Sequence, residues 1–256
     1  MEVEKAMPRT ARKKSLTGIY HVMLRGINRQ QIFEDDEDCE KYLQTISDCK
    51  AISGFELYGY CLMGNHVHLL LKEGKESLDL IFKRIGARYV YWYNWKYKRC
   101  GHLFQDRYKS EAIESTPYFT VVLRYIHQNP LKAGLCKSLE EYRWSSYVEY
   151  VQRSGIVDHG LALGIIGESH FAAYMQERRD EKCMDYADQN DRLTDEELVA
   201  KIEEVFKIKP LMIQSEPKDK RNSILAAALK IQGTSMRQLS RVTGVSVNII
   251  WRVSNE

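Results

Sequence analysis

The chain has 256 residues, a formal net charge of +3 and a hydrophobic fraction of 44%, enough for one sizeable domain and a smaller appendage. No apolar stretch approaches the roughly 20 residues of a membrane span, and the six cysteines form no C-x-x-C pair. These features exclude a membrane protein, a zinc ribbon and a disulfide framework. The first residues lack the apolar core of a secretory signal, so we expect a cytoplasmic location.

Positive charge is concentrated in two segments. Residues 5–29 contain seven Lys or Arg residues and no acid, and residues 72–109 contain ten Lys or Arg residues against four acids. This distribution favours a surface that binds a polyanion. The alternative is that these charges only solvate helix surfaces.

The first part of the chain alternates strand and helix patterns. Strands are predicted over residues 18–26, 55–62, 66–71 and 102–113, and helices over residues 35–53 and 77–97. The order β-α-β-β-α-β predicts an α+β fold, namely a ferredoxin-like split βαβ antiparallel sheet with helices on one face. Gly64 and Asn65 indicate a hairpin turn between the second and third strands. We therefore expect the third strand at or near the centre of the sheet.

Later segments read as helices. One is predicted from Thr116, as its N-cap, to Asn129, because Pro130 disfavours helix at the residue before it. An acidic stretch over residues 176–192 indicates a boundary, and helical patterns over residues 236–242 and 247–253 then flank a glycine turn, as in a helix-turn-helix. Asn248 and Arg252 are candidate contacts to duplex DNA. The alternative is a small all-α bundle that binds protein or nothing.

The segment His66-Val67-His68 lies inside a predicted buried strand. Side chains alternate along a strand, so the two imidazoles project to the same face. Two imidazoles on a rigid strand form half of a site for a divalent metal. The alternative is that they are core histidines bonded to backbone carbonyls.

The second chemical feature lies about sixty residues downstream, on the helix that begins at Thr116. Tyr125 and Asn129 are four residues apart and share a helix face. A tyrosine hydroxyl that faces two metal-bound histidines could attack a phosphodiester polarised by the metal, and Asn129 could supply a third ligand. Taken without context, Tyr125 reads as a core residue instead.

These motifs resemble a known family. His66-Val67-His68 is similar to the His-hydrophobe-His motif of HUH single-strand endonucleases, and the run from Arg124 to Gly134 resembles the tyrosine helix of REP-associated tyrosine transposases, relatives of the single-tyrosine insertion-sequence transposases. Further matches are Tyr20-His21-Val22, Arg25-Gly26, the run from Phe104 to Lys109, and Trp144-Ser145-Ser146-Tyr147. Together they cover about residues 8–150, which we assign to a catalytic domain. Residues 151–192 are then an extension and linker, and residues 193–256 a helical region.

The resemblance implies Mg²⁺- or Mn²⁺-dependent cleavage of single-stranded DNA that folds into short palindromic hairpins, with Tyr125 becoming attached to a 5′ phosphate. It implies His66, His68 and Asn129 as metal ligands, although insertion-sequence relatives carry a glutamine at the Asn129 position. Gln128 and His127 therefore compete for the third position. A monomer and a homodimer are both compatible with the sequence. The alternatives are a regulator that binds hairpin DNA without cleaving it, and an unrelated metal hydrolase in which Tyr125→Phe would leave activity intact.

Basic residues are the candidate contacts to DNA. We expect Arg88, Lys96 and Lys98 on the long aromatic helix to bind phosphates, while Tyr89 and Trp92 face the core. The remaining candidates come from the basic N-terminal segment and from the matching runs: Arg12, Lys13, Lys14, Arg25, Arg107 and Lys109. Tyr108 is the second candidate nucleophile, and no catalytic role is assigned to His21.

Overall fold

The computed structural model describes residues 12–179, 183–185, 193–231 and 233–254. The chain divides into two units, Met1–Met184 and Asp185–Glu256. The first unit contains strands β1 to β4 and helices α1 to α6. In chain order these are β1 Ile19–Arg25, α1 Asp36–Ser53, β2 Glu56–Met63, β3 His66–Lys72, α2 Leu78–Lys96, β4 Lys109–Ala112, α3 Thr116–Lys132, α4 Tyr147–Gln152, α5 His159–Ile166 and α6 Glu168–Gln176.

The sheet has the order β2-β3-β1-β4, and every pair of neighbours is antiparallel. This confirms the predicted split βαβ fold, with β3 inside the sheet. The two-residue turn at Gly64 and Asn65 joins β2 to β3, so that Met63 pairs with His66. The strand that carries both histidines is therefore held by hydrogen bonds along both of its edges.

Local sequence signals define α1. The side chain of Asp35 accepts from the backbone of Asp38, whose own side chain caps the helix start in return, and acids in this first turn complement the helix dipole. The helix ends at Gly54, whose φ of 66° is left-handed and favours glycine. These caps fix where the chain turns back into β2.

Helical layers cover both faces of the sheet. Along β3, Val67 and Leu69 point away from the face that holds the histidines and are fully buried, and α1 and α2, which pack on each other, provide a layer. Helix α3 lies on the histidine face. It approaches β2 so closely that a Cβ atom added at Gly59 would lie 2.6 Å from the Cδ1 atom of Leu123. This second layer, outside the predicted ferredoxin-like unit, carries Tyr125.

Two element boundaries differ from the prediction. The fourth strand is confined to Lys109–Ala112. Before it, Phe104 forms only an isolated bridge with Gly26, the residue that follows β1. Helix α3 continues past Pro130 to Lys132. Pro130 lies in the last turn of α3. Proline has no backbone N–H, so one hydrogen bond is missing there, but hardly any helix follows that the loss could disrupt.

The second unit is all-α, as predicted. Its helices are α7 Asp195–Phe206, α8 Lys218–Leu229, α9 Met236–Thr243 and α10 Val247–Ser254, and they enclose a separate apolar core that includes Leu198, Ile202, Leu225, Leu239 and Ile250. Gly244, with a φ of 72°, ends α9 and allows the turn into α10. None of the described helices is both long enough and apolar enough to cross a lipid bilayer.

Candidate metal and tyrosine site

Three histidines share one face of the sheet. His66 and His68 alternate with Val67 along β3, and their ring centroids are 5.1 Å apart. His21 on the neighbouring strand stacks on His68 at 5.3 Å. Because β1 and β3 pair with Met23 opposite His68, the side chain of His21 reaches His68 diagonally across the two strands.

His68 is fully buried, and only one of its ring nitrogens is hydrogen-bonded. Its Nδ1 atom lies 3.0 Å from Nε2 of His21, whereas its Nε2 atom has no hydrogen-bond partner among the described residues. Burial, followed by the neighbouring His21 and His66, holds the pKa of His68 well below its usual range. The ring is therefore neutral at pH 7 and has a lone pair available for a metal ion.

His66 is oriented by its neighbour in the hairpin turn. Its Nδ1 atom lies 2.7 Å from Oδ1 of Asn65. A side-chain amide oxygen can only accept, so Nδ1 of His66 carries the proton and Nε2 carries the lone pair. Both imidazoles of the motif thus use Nδ1 for a protein contact, which is how metal-ligating histidines are commonly fixed.

Helix α3 places Tyr125 directly beside these rings. Its ring centroid lies 5.7 Å from that of His68 and 6.0 Å from that of His21, in edge-to-face contact with both. Tyr125 is 6% exposed. Seven residues further along the same helix, the ammonium of Lys132 lies 5.0 Å from the centre of the Tyr125 ring.

The three candidates for the third ligand take different directions. Asn129 donates from Nδ2 to the carbonyl of Tyr125 at 2.9 Å, which leaves its Oδ1 atom for another partner. Gln128 donates to the carbonyls of Met175 and Glu177 at 2.7 and 2.8 Å. Both ring nitrogens of His127 face other side chains of the core. Asn129 is therefore the candidate on the side of Tyr125.

His127 lies in a separate buried cluster. Its Nε2 atom is 2.8 Å from the hydroxyl of Ser146, and its Nδ1 atom faces the sulfur of Met175. Burial lowers the pKa of His127 to about 3. This position gives the Trp144-Ser145-Ser146-Tyr147 run a structural role, since Ser146 also donates to the carbonyl of Tyr60 in β2.

The candidate metal donors are the Nε2 atoms of His66 and His68 and the Oδ1 atom of Asn129. Among the residues that the structure describes, no group of three His, Cys, Asp or Glu side chains is arranged to hold a metal ion. The buried, unpartnered Nε2 atom of His68 nevertheless fits a metal ligand, because an unsatisfied buried nitrogen otherwise costs about 1–3 kcal/mol.

Cationic residues surround this face of the sheet. Arg25 stands opposite His66 in the β1–β3 register, and Lys109 stands opposite Met23 in the β1–β4 register. By strand alternation both belong to the histidine face. Together with Lys132, which the sequence patterns did not indicate, they place positive charge on three elements around Tyr125.

The other candidate DNA contacts fall into two groups. Lys13, Lys14, Arg88 and Arg107 are exposed. Arg12 is instead bound at 2.8 Å to Asp79 and at 3.1 Å to the carbonyl of Tyr108, with its guanidinium 3.9 Å from the centre of the Tyr108 ring.

Two further side chains that were considered for DNA chemistry are held by acids. Lys96 pairs with Asp35, Glu37 and Asp38, so the prediction that it contacts phosphate is wrong: a helix distant in sequence supplies its counter-charges. The hydroxyl of Tyr108 donates to Asp79 at 3.0 Å.

In the second unit, Asn248 and Arg252 lie four residues apart on α10 and are both exposed. Trp251, between them in sequence, is 56% exposed. The helix therefore presents polar, cationic and aromatic side chains to solvent.

Comparisons with known proteins agree with this architecture. Residues 14–129 match the family model of IS200-like transposases. A REP-associated tyrosine transposase, solved bound to a REP hairpin, superposes with a TM-score of 0.50 at 20% identity, over 57% of this chain and 87% of that chain. A candidate transposase of Deinococcus radiodurans R1 gives a TM-score of 0.34 at 19% identity, over 47% and 97% of the two chains. No curated protein matches significantly.

Proposed function

We propose that the chain, whose residues 14–129 match the family model of IS200-like transposases, cleaves and rejoins single-stranded DNA through a covalent bond between Tyr125 and a 5′ phosphate. The observation that carries this proposal is the contact of the Tyr125 ring with His68 at 5.7 Å, where a fully buried imidazole keeps one nitrogen without a hydrogen bond among the described residues.

In the cleavage step, the Tyr125 hydroxyl oxygen forms a bond to phosphorus and loses its proton. The bond from phosphorus to the 3′ oxygen breaks, and that oxygen leaves and takes up a proton. The phosphotyrosine keeps the energy of the diester, so a 3′ hydroxyl can later reverse the step and restore a DNA strand. Because the bond energy is kept, this chemistry suits strand transfer better than hydrolysis.

His66, His68 and the Oδ1 atom of Asn129 would hold a Mg²⁺ or Mn²⁺ ion. Such an ion neutralises charge that develops on the phosphate. The Nδ1 contact of His66 with Asn65 supports this assignment, because it leaves the lone pair of His66 on Nε2. The Nδ1 atom of His68 contacts His21, and Nε2 of His68 keeps its lone pair when His68 donates in that contact. The contacts of Gln128 with the carbonyl of Met175 and of His127 with the hydroxyl of Ser146 favour Asn129 over both as the third ligand.

Positive charge around the face would bind the DNA backbone. Arg25, Lys109 and Lys132 would hold the phosphates next to the scissile bond. The exposed Lys13, Lys14, Arg88 and Arg107 would contribute affinity without sequence preference. We propose palindromic hairpin DNA of the REP type as the substrate, which is the ligand named for the structurally similar transposase.

The second unit would bind duplex DNA. In this proposal α10 is the recognition helix, with Asn248 contacting a base edge and Arg252 a base or phosphate. Between residues 206 and 254 this unit carries nine Lys or Arg residues and two acids. That local charge favours a nucleic acid over a protein as its partner.

A covalent-adduct assay tests the proposal. The full chain is incubated with labelled single strands from the flanks of its own gene, with Mn²⁺ or with EDTA, and resolved on a denaturing gel. Tyr125→Phe and His66→Ala are the test variants, and Tyr108→Phe is the matched control because its hydroxyl is bound to Asp79. We expect a metal-dependent shifted band for the wild type and the control only.

Two outcomes would contradict the proposal. An adduct that persists in Tyr125→Phe would assign the wrong nucleophile. Tight hairpin binding without an adduct on any flank strand would favour the alternative function, a regulator that binds hairpins without cleaving them.

A further inference from the structure

His21 connects the buried ligand candidate to a carboxylate. On one side, its Nε2 atom lies 3.0 Å from Nδ1 of His68. On the other, its Nδ1 atom lies 3.9 Å from Oε2 of Glu111, the residue directly opposite His21 in the β1–β4 register. His21 is fully buried, while the Glu111 side chain is 34% exposed.

A single proton must lie between the two imidazoles, and its position decides what His68 can do. If His21 donated it, the neutral His68 ring would carry its own proton on Nε2, the nitrogen that has no hydrogen-bond partner among the described residues. If His68 donates it, Nε2 keeps its lone pair. The negative charge of Glu111 favours the second arrangement, because it attracts the proton of His21 to Nδ1 and leaves Nε2 of His21 as an acceptor.

We propose that His21 and Glu111 are positioning residues that fix the tautomer and the orientation of His68. The inference rests on the proposed function, since it gives His68 the task of holding a metal ion. The neighbouring His21, and to a smaller extent Tyr118, hold the pKa of the Glu111 carboxyl below its usual range. Glu111 thus stays charged at neutral pH.

Substitutions at His21 separate this role from simple packing. In His21→Gln, the side-chain Oε1 atom replaces Nε2 as an acceptor for His68. In His21→Asn the amide is one carbon shorter and does not reach His68, and in His21→Leu no acceptor remains. If His21 positions His68, His21→Gln should keep the tautomer and the metal affinity of His68, and His21→Asn and His21→Leu should lose them.

The first readout is the tautomer of His68, measured on the metal-free full chain by ¹⁵N–¹H correlation spectra of labelled histidines, with His68→Asn used to assign the signal. We expect the Nδ1–H form in the wild type and in His21→Gln, and a shift toward the Nε2–H form in His21→Leu and Glu111→Gln. An Nε2–H tautomer in the wild type would overturn the inference.

The second readout is the affinity for Mn²⁺ alone, measured by electron paramagnetic resonance without DNA. We expect His21→Leu and His21→Asn to bind about 10- to 100-fold more weakly and His21→Gln to stay near the wild type. Equal losses in all three variants would reduce His21 to a packing residue. The adduct assay on the wild type tests the proposed function separately. If the wild type forms the Tyr125 adduct and His21→Leu binds Mn²⁺ as tightly as the wild type, the positioning role of His21 is refuted and the proposed function is not.

A separate observation concerns the outer side of α2. Arg88, Tyr91 and Trp95 lie on α2 at intervals of three and four residues, and Lys98 follows two residues after the helix ends at Lys96. All four side chains are exposed, Tyr91 by 79% and Trp95 by 72%. From residue 80 to residue 105 the chain contains no acid. An exposed tyrosine and tryptophan between two cations have the composition of a platform for unpaired nucleotides.

The end of this helix lies beside the hairpin turn that leads into His66. Tyr93 on α2 donates to the carbonyl of Gln31, and the next residue, Ile32, donates to the carbonyl of Gly64 in that turn. We infer that the four residues form a track on which the single-stranded flank of the substrate stacks. This inference also rests on the proposed function.

Binding to two hairpins tests the track. One carries single-stranded extensions and the other is blunt. Tyr91→Ala combined with Trp95→Ala should weaken binding of the extended hairpin at least about tenfold and leave the blunt hairpin unchanged, while Leu80→Ala, an exposed apolar control on the same helix, should change neither. The inference is wrong if the double variant binds the extended hairpin as tightly as the wild type does. It is also wrong if the double variant changes oligomeric state in sedimentation, because the two aromatic residues would then belong to a protein interface. Adduct formation by the wild type reports on the proposed function separately.

Discussion

Gly26 follows β1 directly and lies beside the turn that orients His66. Any residue can adopt its φ of −60°. A side chain is therefore disfavoured at this position only because neighbouring atoms leave no room for it. A Cβ atom added there would lie 2.2 Å from the carbonyl oxygen of Gln30 and 3.0 Å from Cγ2 of Ile32. The backbone N–H of Gly26 donates to the carbonyl of Asn65 at 2.9 Å, and Asn65 holds His66. Gly26→Ala must therefore displace backbone next to the site.

The expected cost follows from this contact. Overpacking of this kind costs about 1–3 kcal/mol, which corresponds to a fall in melting temperature of about 2–12 °C for a unit of this size. All but one of the tyrosines precede residue 185, so near-ultraviolet circular dichroism of the full chain reports on the first unit. The displaced turn should also slow adduct formation.

Gly86→Ala is the matched control with the opposite sign. Gly86 lies inside α2, and a Cβ atom added there would meet no described atom within 4 Å. Alanine there should stabilise the helix by about 0.5–1 kcal/mol and leave adduct formation unchanged. If Gly26→Ala melts at the wild-type temperature and reacts at the wild-type rate, the steric reasoning about this turn is refuted.

Five further substitutions separate chemistry, stability and DNA binding. Asn129→Ala should slow adduct formation at least about tenfold. Gln128→Ala should instead lower the free energy of unfolding, measured by urea titration, by about 1–3 kcal/mol. The reverse pattern would make Gln128 the metal ligand and Asn129 the structural residue. Because the folded pKa of His127 is about 3 and its unfolded pKa about 6.5, the unfolded chain binds the proton first. The free energy of unfolding should then fall as pH drops below about 6.5, by about 2 kcal/mol between pH 7.5 and pH 5, and His127→Leu should remove that part of the decline. Arg107→Ala should reduce the salt dependence of hairpin binding by about one phosphate contact, while Arg12→Ala, which breaks the pair with Asp79, should leave the salt slope unchanged.

Local patterns predicted the parts of the site that depend on one element. Strand alternation was sufficient to place His66 and His68 on one face, and helical spacing was sufficient to place Asn129 one turn from Tyr125. The Gly64-Asn65 turn likewise predicted the β2–β3 hairpin, because loop length selects turn geometry. In each case the residues involved are close in sequence.

Contacts between distant elements could not be predicted in this way. His21 meets His68 only because β1 pairs with β3 in one particular register, and a shift of one residue would turn His21 to the opposite face. Lys96 lost its expected exposure because α1 supplies acids from a segment about sixty residues earlier. Asn65 was the one missed contact with a local signal, since it precedes His66 directly.

The strand order explains why the buried site has this composition. With β3 inside the sheet, His68 lies between β2 and β1 and is shielded from water, so it can remain neutral but needs a partner for each nitrogen. The neighbouring strand β1 supplies His21 for one nitrogen, and the edge strand β4, half-exposed, supplies Glu111, where a carboxylate can keep its charge. Solvent exposure of the polar groups therefore falls across three strands, from the half-exposed carboxylate of Glu111 on β4 to the buried imidazole of His68 on β3. At the buried end of this series, the second nitrogen of His68 finds no hydrogen-bond partner in the described part of the chain, and a metal ion bound to this nitrogen would satisfy it.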